Sequence, residues 1–230
     1  IAQSTCAHHG KLYARVWMHN GFVNVEKEKM SKSIGNVLLV HDLLAEAPGE
    51  AIRLALLGAH YRQPLDWSAH SLTQARRTLD GLYGVLRRLE GVPVDPQARA
   101  PEAFLAALRD DLNTPKAIAA LAALAKAADA AQDPAARADL KAALLASGWY
   151  LGLLGQDPEA WFMTGVGGEN VDEEEVGRLI AAREAARKAR DFARADAIRD
   201  DLAARSIVLE DSATGTVWRI EAPGSKGENA

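Results

Sequence analysis

A single cysteine, Cys6, leaves the 230-residue chain without a partner for an internal disulfide, a scarcity that fits a reducing compartment. No stretch approaches the ~20 consecutive apolar residues needed to span a bilayer. The opening residues, Ile1-Ala2-Gln3-Ser4, have no initiator Met, no basic segment and no apolar run. They are not expected to be a secretory signal, and the sequence reads as one entered midway. An excess of positive charge is missing too. The formal net charge of −4 argues against indiscriminate binding to polyanions, although a local basic face would suffice for nucleic acid.

What is present is enough for a sizeable core: 48% hydrophobic residues beside 25% charged ones, in one large domain or two modest ones. Two stretches are locally basic. Residues 1–36 hold five Lys/Arg against two Glu, and residues 176–205 hold eight Lys/Arg against five acids. On charge alone, a solvated surface is the preferred reading of both.

Apolar spacing makes most of the chain helical. From Ser68, residues Leu72, Ala75, Leu79, Leu82, Leu86 and Leu89 recur at three and four, one stripe of a long amphipathic helix that Gly91 stops. A second helix opens at Pro101, with Phe104, Leu105, Leu108 and Leu112 on one face. Thr114-Pro115 and Asp133-Pro134 each join an N-cap to a proline at the first helical position, where its missing N–H costs nothing. Residues 68–155 thus read as an antiparallel helix bundle, and residues 156–172, with Gly165, Gly167 and Gly168, as a linker. Asp172 and Glu175 suggest a capping box for a helix to about Arg190. Asp191 caps the next, with Phe192, Ala195, Ile198 and Leu202 facing inward. Residues 207–209 and 216–220 then flank a turn-rich segment at 211–215, a small hairpin, before a frayed tail at 221–230. Near the start, a helix should carry Leu12, Val16 and Trp17, and Phe22–Val25 a short strand. Trp67 and Trp149 read as core anchors, and Asp110, Asp111 and Asn113 as helix-end polar groups.

One loop carries chemistry. Lys29-Met30-Ser31-Lys32-Ser33, then Ile34-Gly35-Asn36, combines mobile cations with hydroxyls and a glycine that let the backbone approach phosphates. Lys29–Ser33 matches the signature loop of the class I aminoacyl-tRNA synthetases. That resemblance implies lysines that reach a departing pyrophosphate mainly in the transition state, speeding attack on the α-phosphate of ATP without over-binding the nucleotide.

Together with Ile1–Ser4, Trp17–Gly21 and Glu28–Asn36, with His60–Leu65, Trp67-Ser68 and Asp110–Pro115, and with Arg187–Ala193, Leu209–Asp211 and Gly215–Trp218, that loop resembles the bacterial cysteinyl-tRNA synthetases over nearly the whole chain. The resemblance implies a C-terminal half with a mainly α fold. Residues 1–36 would end a Rossmann-type catalytic domain, 37–67 would contact the tRNA stem, and 68–155 would be a DALR-type bundle. After the linker, 173–220 would be a small α+β anticodon-binding domain. It implies use of ATP with Mg2+, of cysteine and of tRNA(Cys), in a cytoplasmic enzyme expected to be a monomer. Lys29 and Lys32 would be catalytic, with Met30, Ser31 and Ser33 completing the ATP contact. Arg187, Phe192, Asp196 and Asp211 would read the anticodon.

The family's zinc ligands would lie upstream of Ile1, so none is expected here. Cys6, His8 and His9 offer donors, but on a helix such spacing does not converge tetrahedrally. Cys6 is expected to pack as a small apolar residue, with the histidines facing solvent or the ATP site. The family's His-x-Gly-His motif is absent: the histidines are His8, His9, His19, His41, His60 and His70. The isolated chain is therefore expected to be inactive. Two other readings fit part of the pattern. The cysteine ligase of mycothiol biosynthesis shares the loop but is expected to lack an anticodon domain. A non-catalytic tRNA-binding module would not need the lysine loop.

Overall fold

Ser68 marks the point where the chain changes architecture, from short strands and turns to long helices. The computed structural model describes residues 2–11, 13–163, 173–205, 207–212 and 215–220. Before Ser68 the described elements are α1 (Ala2–Ala7), β1 (Val23–Val25), β2 (Glu28–Lys29), α2 (Val40–Leu43), α3 (Gly49–Leu57) and β3 (Leu65–Trp67). After it come α4 (Ala69–Arg88), α5 (Glu102–Arg109), α6 (Thr114–Ala130), α7 (Pro134–Leu151), α8 (Pro158–Met163), α9 (Glu173–Lys188), α10 (Phe192–Ala204), β4 (Ile207–Ser212) and β5 (Gly215–Ile220).

α1 is shorter than its expected helix. Left-handed φ values of 53° at His9 and 80° at Gly10 stop it, since the αL conformation cannot continue a right-handed helix. Val16 and Trp17 lie beyond it and are exposed, and Leu12 lies outside the described residues. Cys6 is exposed as well, so it does not pack as a core residue.

β1 is the middle strand of a three-stranded sheet, antiparallel to β2 and parallel to β3. The parallel pair needs a crossover, supplied by α2 and α3. The β1–β2 hairpin turns on Glu26 and Lys27, with φ of 50° and 69°, values usually left to Asn-Gly. Asp66 meets part of the cost by accepting the Lys27 N–H at 2.7 Å. Just before β1, Gly21 donates to the Tyr61 carbonyl at 2.7 Å. A Cβ there would collide with the Gln63 carbonyl, so the close approach requires glycine.

The Ser68 side chain accepts from Ser71 N, and the Ser71 side chain accepts from Ser68 N, each at 3.1 Å. This reciprocal capping box starts α4. Its stripe of Ala75, Leu79, Leu82, Leu86 and Leu89 is buried as the spacing predicts, and Phe104 of α5 joins it. Leu112 does not. Asp111 and Leu112 adopt φ of 54° and 53°, which turns Leu112 off the helix stripe into solvent. Asn113 rather than Thr114 caps α6, accepting from Lys116 N at 3.1 Å. The Thr114 hydroxyl donates instead to the Leu57 carbonyl at 2.8 Å. Asp133 caps α7 as expected, accepting from Ala136 N at 2.8 Å.

Helix α8 lies inside the stretch expected as a linker. Asp157 caps it, accepting from Ala160 N at 3.0 Å, and Trp161 and Phe162 are buried. Trp161 stacks on Tyr83 at 4.5 Å and donates from its indole N–H to Asp80 at 2.8 Å. Full burial of one such aromatic is worth roughly 1.5–3 kcal/mol. Trp67 is in the core as expected; Trp149 is 77% exposed. The inward side of α7 is taken by Leu144, Ser147, Gly148 and Leu151, which leaves Trp149 outside, edge-on to Tyr150. Beneath the bundle sits the buried Glu50 carboxylate. It accepts from the Tyr83 hydroxyl (2.9 Å), Leu154 N (3.0 Å) and Gly155 N (3.2 Å).

α9, α10 and the β4–β5 hairpin form a second core of Val176, Leu202, Ile207, Trp218 and Ile220. Asp191 caps α10, accepting from Arg194 N at 3.1 Å. β4 runs on to Ser212, which pairs with Gly215. Asp211 is therefore within the strand, not in the turn. Phe192 is 62% exposed and not part of the inward face, whereas Ala195 and Leu202 are buried. Asp172, the linker glycines and the tail lie outside the described residues. No helix among the described residues is long and apolar enough to cross a membrane.

Candidate phosphate loop and nucleic-acid interface

The loop at 29–36 is presented by the β1–β2 hairpin and closed by one side chain. Asn36 accepts from Ser31 N at 2.8 Å through Oδ1, while its Nδ2 donates to the Lys29 carbonyl at 3.4 Å. Gly35, at φ 77°, donates its N–H to the Ser31 carbonyl at 3.2 Å. The Ser31 and Ser33 hydroxyls are 3.2 Å apart. Lys29, Met30, Ser31, Lys32 and Ser33 are thereby held in one short turn. Lys32 is exposed, and the Lys29 ammonium rests over the Phe22 ring at 4.0 Å, a contact weak enough to exchange for phosphate. The Asn36 brace was not foreseen; its only trace in the sequence is an amide directly after a left-handed glycine.

A second polar cluster joins the chain after the crossover to the turn between α5 and α6. Asp111 accepts from Tyr61 Oη at 2.7 Å and from Arg62 Nε and Nη2 at 2.7 and 3.1 Å. His60 stacks on Tyr61 and approaches the same carboxylate at 3.8 Å. The Arg62 and then the Tyr61 hydrogen bonds hold the Asp111 pKa below its ordinary value, and the bond to Asp111 raises that of Tyr61. Asp111 is therefore a junction residue, more than a helix-end polar group.

The third cluster gathers two of the four residues expected to read an anticodon. Asp211 receives Arg183 Nη1 and Nη2 at 2.9 Å each, Arg187 Nη1 at 2.8 Å and Thr216 Oγ1 at 2.8 Å. The Arg183 bonds first, then that of Thr216, hold Asp211 well below the carboxylate range, and the same contact raises Arg183. Asp196 is apart from this contact, 3.3 Å from Arg199 on its own helix. Phe192 opens α10 just past a left-handed turn at Arg190 (φ 60°), while Arg187 is in the last turn of α9. Arg183 was not anticipated, because nothing local separates a buried arginine from its exposed neighbours on a charged helix.

Cys6 is exposed, and His8 shares its Nδ1 with the Ser4 carbonyl at 2.8 Å. Among the described residues no group of three His, Cys, Asp or Glu side chains converges for a metal ion.

Three family models match. The class I (C) tRNA synthetase catalytic domain covers residues 1–77, the DALR domain 103–155, and the cysteinyl-tRNA ligase anticodon binding domain 173–219. A cysteine–tRNA ligase of Parvibaculum lavamentivorans is 60% identical over 221 residues, covering 96% of this chain and 47% of the relative. That of Rhodospirillum rubrum is 55% identical over 220 residues, 95% of this chain and 48% of the relative. The Xanthomonas campestris ligase is 54% identical over 219 residues, 95% and 47% respectively. The chain spans about half the length of the curated relatives it matches.

Proposed function

The chain belongs to the cysteinyl-tRNA synthetase family, and on that premise we propose that it supplies the pyrophosphate-binding loop and the tRNA-binding parts of a cysteine–tRNA ligase. The observation that carries this is the loop at 29–36, a compact turn held by Asn36 with Lys32 free in solvent. In the reaction the cysteine carboxylate attacks the α-phosphate of ATP, and pyrophosphate leaves to give cysteinyl-adenylate. A hydroxyl at the 3′ end of tRNA(Cys) then takes the cysteinyl group and AMP departs. Lys29 and Lys32 meet the charge that grows on the leaving pyrophosphate, contributing mainly in the transition state. Met30, Ser31 and Ser33 shape the turn around the phosphates. ATP enters as its Mg2+ complex, and no residue of this chain is assigned to that ion.

Residues 1–36 are assigned to the catalytic domain, 37–67 to the stem-contact segment, 68–155 to the bundle, 156–172 to the connection, 173–220 to anticodon binding and 221–230 to a tail. Arg187, Phe192, Asp196 and Asp211 are assigned to the anticodon. Exposed Phe192 suits stacking on a splayed base, and carboxylates suit base amino groups. The anticodon-domain match at 173–219 favours this reading over the mycothiol ligase. The zinc of the family does not fit the donors present: Cys6, His8 and His9 do not converge, so no step is assigned to it. Cytoplasmic location and a monomeric state complete the proposal.

Charging of tRNA(Cys) with cysteine and ATP by the full-length protein tests this function. Transfer of cysteine to an amino sugar instead, or tRNA binding without adenylate formation, would refute it. The 230-residue chain by itself is expected to give no cysteine-dependent pyrophosphate exchange above a buffer control.

A further inference from the structure

Arg183 has no part in the readings above. It precedes Arg187 by one turn of α9, so both guanidinium groups leave the same helix face. Their settings differ: the Arg183 side chain is 10% exposed and that of Arg187 50%. An ionised carboxylate offers about four lone-pair sites. At Asp211 all are engaged, two by Arg183, one by Thr216 and one by Arg187. A base amino group reaching Asp211 finds no acceptor until one donor leaves. Arg183 is fixed by burial and a two-pronged fit, and Thr216 is tied to Asp211 by the hairpin register. Arg187 holds on by one bond at the surface.

We infer that Arg183 is a positioning residue that aims the Asp211 carboxylate at RNA, and that Arg187 is the exchangeable arm, leaving Asp211 when a base arrives. This rests on the assignment of 173–220 to anticodon binding. It makes the face a pre-organised site in which the anionic reader is shielded from the phosphate backbone until contact. Only the outer arginine moves.

The test uses the 230-residue chain, an RNA stem-loop with the tRNA(Cys) anticodon, and a second with an altered anticodon. Dissociation constants are measured for wild type, Asp211→Ala, Arg183→Lys and the double variant, with melting temperatures alongside. Arg183→Lys keeps the charge and loses the bidentate fit. Each single substitution is expected to lower the discrimination ratio roughly tenfold, the scale of one base-edge contact. The double variant should be no worse than Asp211→Ala. A merely structural arginine would lower the ratio independently of Asp211, or not at all. Either result would overturn the positioning role while leaving the anticodon assignment standing. If Asp211→Ala itself left the ratio unchanged, both would fall. Should Arg183→Lys melt below the assay temperature, Thr216→Val removes one bond to the same carboxylate. With one acceptor site open and the Arg183 fork intact, a base no longer has to displace Arg187. The Arg187 NMR signal should then move less on RNA addition than in wild type, and an undiminished movement overturns the inference. In NMR titrations the Arg187 Nε–H signal should shift on RNA addition while that of Arg183 stays. The reverse would overturn the assignment of the arms.

Discussion

Arg62 and Asp111 meet as fork and fork, Nε donating to Oδ2 at 2.7 Å and Nη2 to Oδ1 at 3.1 Å. Bidentate geometry of this kind fixes orientation as well as distance. The pair joins the chain that follows the sheet crossover to the left-handed turn at Asp111 and Leu112. Asn tolerates that backbone conformation, so Asp111→Asn isolates the charge. Its Tm is expected to be below wild type at pH 7, with the gap narrowing as salt screens the exposed pair.

The same pair has a defined pH dependence. Its donors lower the Asp111 pKa. Its stabilisation is therefore complete above the ordinary carboxylate value of about 3.9 and is lost as pH falls through the lower native value. Thermal melts of wild type and Asp111→Asn should converge in acid. A gap that stayed constant from pH 7 down to about pH 2 would show that the charge contributes nothing.

In the full-length protein Lys32→Ala is expected to slow adenylate formation by roughly a hundred- to a thousandfold, the scale of one lost transition-state charge contact. Cysteine affinity should hold, since the lysine faces the leaving group. Single-turnover kinetics separate the two effects. An unchanged rate would move the role to Lys29, which would first have to leave the Phe22 ring.

Glu50→Ala strands the Tyr83 hydroxyl and the Leu154 N–H in the interior and takes the acceptor from the part-buried Gly155 N–H. The expected cost is about 2–4 kcal/mol, measured by urea unfolding, because buried donors without acceptors lose their hydration unrepaid. Glu50→Gln keeps one acceptor oxygen and should lose less. Equal losses would point to packing instead of hydrogen bonding.

Two tryptophans should respond in opposite ways. Trp161→Ala is expected to cost about 3–5 kcal/mol, as a fully buried aromatic does. Trp149→Ser should change stability by no more than about 0.5 kcal/mol, since 77% of that residue already faces water. A large loss at Trp149 would mean that its face is covered in solution.

The bundle was legible in the sequence because its helices bury regular stripes: Leu79, Leu82, Leu86 and Leu89 repeat the period that packing demands. Caps at Asp133 and Asp191 could be read because they act within three residues. The loop at Lys29–Ser33 was legible as a motif; its brace by Asn36 was not. Phe192 and Trp149 were misplaced because an apolar side chain declares a preference for burial but not the side of the helix on which it falls. α8 was hidden by its shortness and by the glycines after it. Arg62–Asp111 and Arg183–Asp211 join residues far apart in sequence, and no local pattern records such pairs.

The reciprocal cap at Ser68 has a mechanical meaning. Strand β3 ends at Trp67 and α4 begins at Ala69, so one residue is the whole covalent length between the sheet and the bundle. α4 is a rod of 20 residues, about 30 Å long at 1.5 Å per residue. A tilt of about 5° at Ser68 would swing its far end by roughly 2.6 Å over that length. Since β3 also pairs with β1, which leads into the lysine loop, a small twist of the strand that repositions the loop would be magnified at the far end of the bundle. In the opposite direction, a push on the distal bundle would reach the loop geared down, as fine adjustment.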